Sequence, residues 1–133
     1  MRVVIDTNIL VSGLFWQGTP GSILELWHKK KFDLLISPEI LNEYVRVAEE
    51  LNRKFPAVQI KPLLNLITLN AHFVEPGKRP IPLCDDPNDE IFLAVAIAGR
   101  ARYIITGDKA LLRVKKYPGG QVTSAKQFIS EIT

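Results

Sequence analysis

Four acidic residues occupy positions in the sequence where they could take part in chemistry. Asp6 ends the apolar run Val3–Ile5, and Asp108 follows the run "YIIT". Asp89 comes directly before the strongly apolar segment "EIFLAVAIAGRA", and Glu43 lies six residues beyond Ser37 in a helical pattern. Four carboxylates gathered in one place repel one another and raise each other's pKa values unless a cation lies among them. The chemistry that such a group indicates is divalent-metal chemistry.

Hard divalent ions take oxygen ligands, and Mg²⁺ usually binds only one or two carboxylates directly. Four acids therefore suit one ion with outer partners, or two ions about 4 Å apart of the kind used in phosphodiester cleavage. Each acid also has a plainer interpretation. Asp6 could cap the next segment, Glu43 could be a solvated helix residue, and Asp108 could belong to a turn. The helix that follows Pro87 could simply be capped by the acids Asp85, Asp86 and Asp89.

The elements that would hold these acids alternate between strand and helix. Continuous β-branched runs predict buried strands of a parallel sheet, and 3.6-residue periodicity predicts the helices between them. Ser22 and Ser37 are the expected N-caps of the first two helices. The predicted strands are residues 2–6, 32–37, 72–75, 102–107 and 119–124. The predicted helices are residues 22–31, 37–51, 55–70, 90–101, 108–114 and 124–132.

This order of elements predicts an α/β domain with a mostly parallel sheet covered on both faces. In open sheets of this kind, ligands bind beyond the carboxyl ends of the strands. Asp6 and Asp108 follow strands directly, and Glu43 is only about 9 Å along its helix at a rise of ~1.5 Å per residue. We therefore expect the four acids to converge on one edge of the sheet.

The composition bounds the kind of protein. The chain has 133 residues, of which 47% are apolar and 23% charged, which predicts one globular domain over residues 1–133. It has one cysteine, Cys84, and its longest uncharged stretch is too polar to be a membrane span. We therefore expect a soluble, cytoplasmic protein without a membrane segment. Neither a zinc pattern nor a P-loop is present.

Four blocks of the sequence together resemble a PIN domain over essentially the whole chain. They are "VVIDTNILVSGLF", "SPEILNEYVRVAE", "DDPNDEIFLAVAIAGRARYIITGDKALL" and "GGQVTSAKQFI". The resemblance is to the prokaryotic branch that contains the toxins of toxin–antitoxin modules. It implies a three-layer α/β/α sandwich with a mostly parallel central sheet and an acidic pocket that binds Mg²⁺ or Mn²⁺. It also implies metal-dependent endoribonuclease activity.

The resemblance assigns roles residue by residue. The four catalytic and metal-binding acids fall on Asp6, Glu43, Asp89 and Asp108. The third role falls on Asp89 and not on Asp85 or Asp86, although Asp86 is a rival for part of it. Asn8 and Thr106 match polar positions that support the pocket. Asn8 could orient the Asp6 carboxylate by a hydrogen bond, or it could simply cap the next segment.

The charge balance suits a polyanionic substrate. With the four acids set aside, 17 basic residues face ten other acidic residues, an excess of seven positive charges. Arg46, Lys109 and Arg113 are candidate contacts to the phosphates of RNA, although each could equally be a solvated surface charge. The resemblance further implies a homodimer and a cognate antitoxin protein as partners.

Two other functions compete with the ribonuclease. Phosphatases with a phospho-aspartate intermediate use a second aspartate two residues after the first as a general acid. Here that position is Asn8, which cannot donate a proton in this way. A module that binds RNA or protein without nuclease activity is the non-enzymatic alternative, and the complete set of four acids argues against it.

Overall fold

The structure is a computed structural model that describes residues 1–77 and 86–133. Its centre is a six-stranded sheet with the strand order β3-β2-β1-β4-β6-β5. The strands are β1 Arg2–Ile5, β2 Asp33–Ile36, β3 His72–Phe73, β4 Tyr103–Ile105, β5 Lys116–Tyr117 and β6 Gly120–Thr123. All neighbouring strands are parallel except β5 and β6, which form an antiparallel pair at one edge. The mostly parallel sheet is the one that the sequence predicts.

Seven α-helices and one 3₁₀ helix connect these strands within the described residues. They are α1 Thr7–Phe15, α2 Thr19–His28, α3 Pro38–Lys54, α4 Ile60–Asn70, the 3₁₀ helix Pro87–Asp89, α5 Glu90–Ala98, α6 Lys109–Val114 and α7 Ala125–Ile132. Successive side chains of a strand point to opposite faces of the sheet, and Val3, Val4 and Ile5 are all fully buried. Both faces of the sheet are therefore covered, as expected for an α/β fold.

The chain reverses its direction of travel across the sheet at β1. From β1 it moves outward through β2 to β3, and it then returns to place β4 on the other side of β1. The ladder between β1 and β4 is regular, with Val3 opposite Tyr103 and Ile5 opposite Ile105. In open parallel sheets, ligands bind in the crevice at such a reversal. The residues that follow β1 and β4 are those that the sequence predicts as a site.

Several local features differ from the sequence-based prediction, which did not include β5. The helix α1 begins immediately after Asp6, whereas the pattern of apolar residues did not predict it. Ser22 is not an N-cap, because α2 begins three residues earlier with Gly18 as its cap and Pro20 in its first turn. Ser37 does cap α3, where its hydroxyl oxygen accepts a hydrogen bond from the backbone N–H of Ile40.

The contact between α1 and α2 depends on a glycine. A side chain at Gly13 would bring its Cβ within 2.8 Å of the Pro20 carbonyl oxygen and 2.7 Å of Leu24 Cδ1. The two helices can therefore lie close together only because residue 13 lacks a Cβ. Within residues 1–77 and 86–133, no helix combines the length and apolar character needed to cross a bilayer. Cys84 and Asp85 lie outside the described residues.

Candidate metal centre

Asp6 is held by hydrogen bonds at the point where β1 passes into α1. Its side chain accepts a hydrogen bond of 2.7 Å from the backbone N–H of Thr7, which makes it the N-cap of α1. Its other carboxylate oxygen accepts a hydrogen bond of 2.5 Å from the hydroxyl of Thr106. Only 7% of the Asp6 surface is exposed. The capping role considered for this residue is therefore compatible with a position in a site.

Thr106 links Asp6 to Asp108 at the end of β4. Its hydroxyl oxygen accepts a hydrogen bond of 3.0 Å from the backbone N–H of Asp108 while it donates to Asp6. Asp108 in turn caps α6, because its carboxylate accepts a hydrogen bond of 2.9 Å from the backbone N–H of Ala110. The Asp6 carboxylate and the backbone of Asp108, at the ends of adjacent strands, are thus joined through one buried threonine.

The turn before α5 brings two more acids to the same place. Asp86 caps the 3₁₀ helix by accepting a hydrogen bond of 2.9 Å from the backbone N–H of Asn88. Asp89 is the last residue of that helix and is buried. Asp86, Asp89 and Asp108 each place one carboxylate oxygen within 4.8 Å of the others. This group includes Asp86, which the sequence analysis considered only as a rival for part of the role of Asp89.

The proximity of these acids changes their protonation. Burial raises the pKa of Asp89 to about 7, and the hydrogen bond and negative charge of Asp108 add to that rise. Burial also raises the pKa of Asp6, and the negative charges of Asp108 and Glu43 add to it against the lowering effect of its two hydrogen bonds. Without a cation, this pocket therefore retains a proton that an isolated aspartate would lose near pH 4.

Glu43 lies at the margin of this group on α3. It forms an ion pair of 2.5 Å with Arg46, whose guanidinium also contacts Glu50 at 2.9 Å. Arg46, predicted as a phosphate contact, therefore has two carboxylate partners on its own helix. Glu43 is nonetheless close enough to Asp6 for its charge to raise the pKa of that residue.

Tyr44 is a positioning residue that the sequence analysis did not identify. Its side chain is fully buried, and its hydroxyl donates a hydrogen bond to the backbone carbonyl of Ile5, directly before Asp6. Burial raises its pKa well above the usual value, so the hydroxyl keeps its proton. This contact fixes α3, and with it Glu43, against the end of β1. A tyrosine in an apolar helix stripe gives no signal in the sequence that separates such a role from ordinary core packing.

The acids surround a pocket of about 670 Å³. Thr7 and Asn8 form part of its wall from the first turn of α1, and Asn8 is exposed there. The hydrogen bonds that the structure shows at the Asp6 carboxylate come from Thr7 and Thr106 rather than from Asn8. The candidate site residues in the pocket wall are Asp6, Asn8, Glu43, Arg46, Asp89 and Asp108. The neighbouring Asp86 and the two predicted phosphate contacts Lys109 and Arg113 do not line this pocket.

The donor set fits a hard divalent cation. All of the converging groups are carboxylates, which Mg²⁺ and Mn²⁺ prefer over nitrogen or sulfur ligands. Three of them, Asp86, Asp89 and Asp108, lie within reach of a single ion. Burial, with the neighbouring Asp108, raises the pKa of Asp89, and a bound cation would favour its charged form. The residues that could hold such an ion are Asp89 and Asp108, together with the neighbouring Asp86 and Asp6.

The α/β fold agrees with the family to which the sequence is matched. So does the acidic pocket, which lies where the strand order reverses between β1 and β4. The family profile described as "PIN domain" matches residues 2–110 of the chain. The chain belongs to the PIN domain family.

Two individual proteins are similar to this chain. An uncharacterized protein of Methanocaldococcus jannaschii is 33% identical over 119 residues, which cover 86% of this chain and 76% of the relative. Among solved structures, the crystal structure of VapBC2 from Rickettsia felis bound to a DNA fragment from their promoter is similar. Its matching chain superposes with a TM-score of 0.55 at 17% identity, with 93% of this chain and 98% of that chain covered. At this identity the likeness shows the fold.

Proposed function

We propose that this protein is a divalent-metal-dependent endoribonuclease whose single domain comprises residues 1–133. The observation that carries the proposal is the convergence of Asp86, Asp89 and Asp108, with carboxylate oxygens within 4.8 Å of one another, beside the buried Asp6. Carboxylates gathered at the point where the strand order of a parallel sheet reverses form a site suited to Mg²⁺ or Mn²⁺. Membership of the PIN domain family supports the same activity.

In this proposal the acids divide into two roles. Asp6, Asp89 and Asp108 hold the metal, directly or through water, and Asp86 contributes from the turn beside Asp89. Glu43 completes this set or orients the attacking water. When bound, a divalent ion supplies charge stabilisation for the attacking and leaving oxygens and lowers the pKa of a bound water. The hydrogen bonds from Thr106 and the Thr7 backbone orient Asp6 and oppose the rise in its pKa that burial causes.

The proposed substrate is RNA. The positive excess of the rest of the chain favours a polyanion that approaches an otherwise acidic pocket. Arg46 is in the pocket wall and could exchange a carboxylate partner for a phosphate. Lys109 and Arg113 lie on α6, which begins at Asp108, and are proposed to contact phosphates farther along the strand.

The sequence resemblance to the toxin branch and the fold likeness to a chain of VapBC2 support a toxin role. In that role the protein acts in the cytoplasm, is a homodimer, and is held inactive by a cognate antitoxin protein. Identifying the protein encoded by the neighbouring reading frame, and purifying the two together, tests this part separately from the nuclease chemistry.

The nuclease proposal is tested by comparing wild type with Asp6→Asn in an RNA cleavage assay containing Mg²⁺ or Mn²⁺. Asparagine can keep the cap of α1 but removes the charge, so we expect cleavage to fall at least a hundredfold with the fold intact. Asp33→Asn makes the same chemical change at the other end of the sheet and should cleave like wild type. Equal cleavage by wild type and Asp6→Asn would contradict the mechanism.

Titration with Mn²⁺ separates the ribonuclease from a binding module. The proposal requires the wild-type protein to bind the ion and the Asp6→Asn protein to bind it more weakly. A chain that binds RNA but no divalent ion would instead be a module without nuclease activity.

A further inference from the structure

A group of aromatic rings lies at the edge of the core, where α1 and α3 end, and only its member Phe15 packs against the core. Phe15, Trp16 and Phe55 contact one another, and the rings of Trp16 and Phe55 meet edge to face with their centres 5.4 Å apart. Trp16 nevertheless exposes 47% of its surface and Phe55 exposes 44%. Large aromatic side chains are usually buried, and an exposed group of them indicates a surface that contacts something else.

Trp16 lines a groove of about 600 Å³ that runs between α1 and the second half of α3. Leu51 contributes an apolar wall, and Arg53 and Lys54 stand at the end of α3. Asn8 lines both this groove and the acidic pocket. The two depressions therefore meet at Asn8.

The charges along α3 leave the far end of the groove positive. Glu50 lines the groove, but its carboxylate is engaged by Arg46. Arg53 and Lys54 are exposed, and neither forms an ion pair with any residue in the described parts of the chain. Cations at a helix C-terminus interact favourably with the helix dipole, and this accounts for the position of Arg53 and Lys54 on α3. It does not account for the exposed aromatic ring beside them.

We propose that this groove binds the single-stranded RNA that enters the acidic pocket. A base stacks on Trp16, and Arg53 and Lys54 contact the phosphates on either side of it. The inference rests on the proposed ribonuclease function and extends it by naming where the strand lies. Lys54 lies eleven positions after Glu43 on α3, about 16 Å at ~1.5 Å per residue, so the phosphate that it contacts is a few nucleotides from the acids.

The combination of groups favours a single strand over other occupants. Proteins that bind single-stranded nucleic acid combine a positive groove with aromatic side chains on which bases stack, and they tolerate many sequences. A duplex could not present an unstacked base to Trp16. An apolar helix of another protein would use the ring and Leu51 but would gain nothing from the two neighbouring cations.

The first test measures binding without cleavage. Fluorescence anisotropy with a labelled mixed-sequence RNA of about 12 nucleotides, in EDTA, reports the groove alone. Trp16→Ala should weaken binding by about fivefold to 150-fold, because stacking on one aromatic residue typically contributes that much. Trp16→Phe keeps an aromatic ring and should retain most of the affinity, with the melting temperature confirming that each variant is folded. Phe73→Ala removes a ring of similar exposure at the far sheet edge and should bind like wild type.

The second test uses the salt dependence of binding. For single strands, each phosphate contact contributes about 0.7 to the slope of log affinity against log salt concentration. The double variant Arg53→Ala/Lys54→Ala should therefore reduce that slope by about 1.4. The control Lys61→Ala/Lys126→Ala removes the same charge from exposed positions on α4 and α7 and should leave the slope unchanged.

The outcomes separate this inference from the nuclease proposal. If Trp16→Ala and Arg53→Ala/Lys54→Ala bind the single strand as wild type does, the groove assignment is wrong, even where wild type cleaves RNA. Equally strong Trp16-dependent binding of the same sequence as a duplex would also overturn it. If the protein binds the single strand through Trp16 but does not cleave it, the groove assignment stands and the nuclease proposal is wrong.

Discussion

The two sides of the acidic pocket are built differently. Asp6 and Asp108 follow adjacent strands, and the backbone around them belongs to the sheet: Asp6 N–H donates to Ile105 at 2.9 Å, and Thr106 N–H donates to Thr123 at 3.0 Å. Asp86 and Asp89 come from a single 3₁₀ turn. The strand-end side is therefore positioned by ladders that form whether or not a metal is bound, whereas the turn side depends more on local contacts.

The two sides also differ in how their charge is stabilised. The carboxylate of Asp6 receives two hydrogen bonds, one of them from Thr106. On the turn side, burial and the neighbouring acids raise the pKa of Asp89 to about 7. The strand ends thus position the site, because hydrogen bonds hold Asp6 in place. The turn carries Asp89, whose charged form a bound cation would stabilise. The predictions below test this division.

The largest expected effect is on metal affinity when the turn acids are changed. Asp89→Asn should weaken Mn²⁺ binding at least a hundredfold, because it removes a proposed ligand at the centre of the group. Asp86→Asn should weaken it about tenfold, as expected for a partner at the edge of a metal site. Isothermal titration calorimetry measures both. Unchanged affinity in Asp86→Asn would remove that residue from the site.

A change at Thr106 tests the strand-end side. Thr106→Val removes the hydroxyl that joins Asp6 to the backbone of Asp108, and such supporting groups typically contribute tenfold to a hundredfold in metal affinity or activity. We expect a tenfold loss of RNA cleavage in a folded protein. Thr123→Val alters another buried threonine, on β6, and should leave cleavage unchanged. Equal losses in both variants would mean that the effect is one of general packing.

The raised pKa of Asp89 predicts a pH dependence in EDTA. The unfolded chain loses this proton near the ordinary value of 3.8 and the folded chain near 7, so the folded state binds more protons between them. Stability should therefore fall as the pH rises from 5.5 to 8, by about 5 °C in melting temperature. Asp89→Asn should remove most of that slope. A wild-type protein that gains stability over this range would contradict the charge assignment.

The smallest expected effect is at Arg46. Its two ion pairs are exposed, and exposed pairs contribute little to stability, so Arg46→Ala should leave the melting temperature unchanged. Its effect on cleavage should lie below that of Thr106→Val. A larger loss of cleavage than in Thr106→Val would make Arg46 a direct contact to the substrate.

The sequence predicted the strand-end side of the pocket and missed part of the turn side. A β-branched run that ends in aspartate identifies Asp6 and Asp108, because the strand fixes where the next residue lies. Asp86 was assigned no primary role, since its place beside Asp89 depends on a 3₁₀ turn that periodicity does not reveal. The helix α1 was missed because its residues are apolar on most sides, so no helical period stands out.

The aromatic groove was beyond sequence analysis for a different reason. From the sequence, Phe15 and Trp16, which precede a glycine turn, could be core or, as the family resemblance suggests, part of a homodimer surface. Nothing in the sequence links them to Phe55, which lies 39 positions after Trp16. Their contact arises from the close packing of α1 against α3 at one end of the fold. Only the three-dimensional arrangement shows that Trp16 and Asn8 line one groove, and that Asn8 also lines the acidic pocket.

Asp6, Asp86 and Asp108 each accept a hydrogen bond from the backbone at the start of a helix. An amide side chain serves equally well at such a position, since asparagine and aspartate are comparable N-caps. One substitution of aspartate by asparagine would therefore abolish the proposed metal-dependent activity of this protein while its fold remains. Relatives that keep the fold without the proposed hydrolysis are thus one codon change away, and asparagine at these positions would identify them.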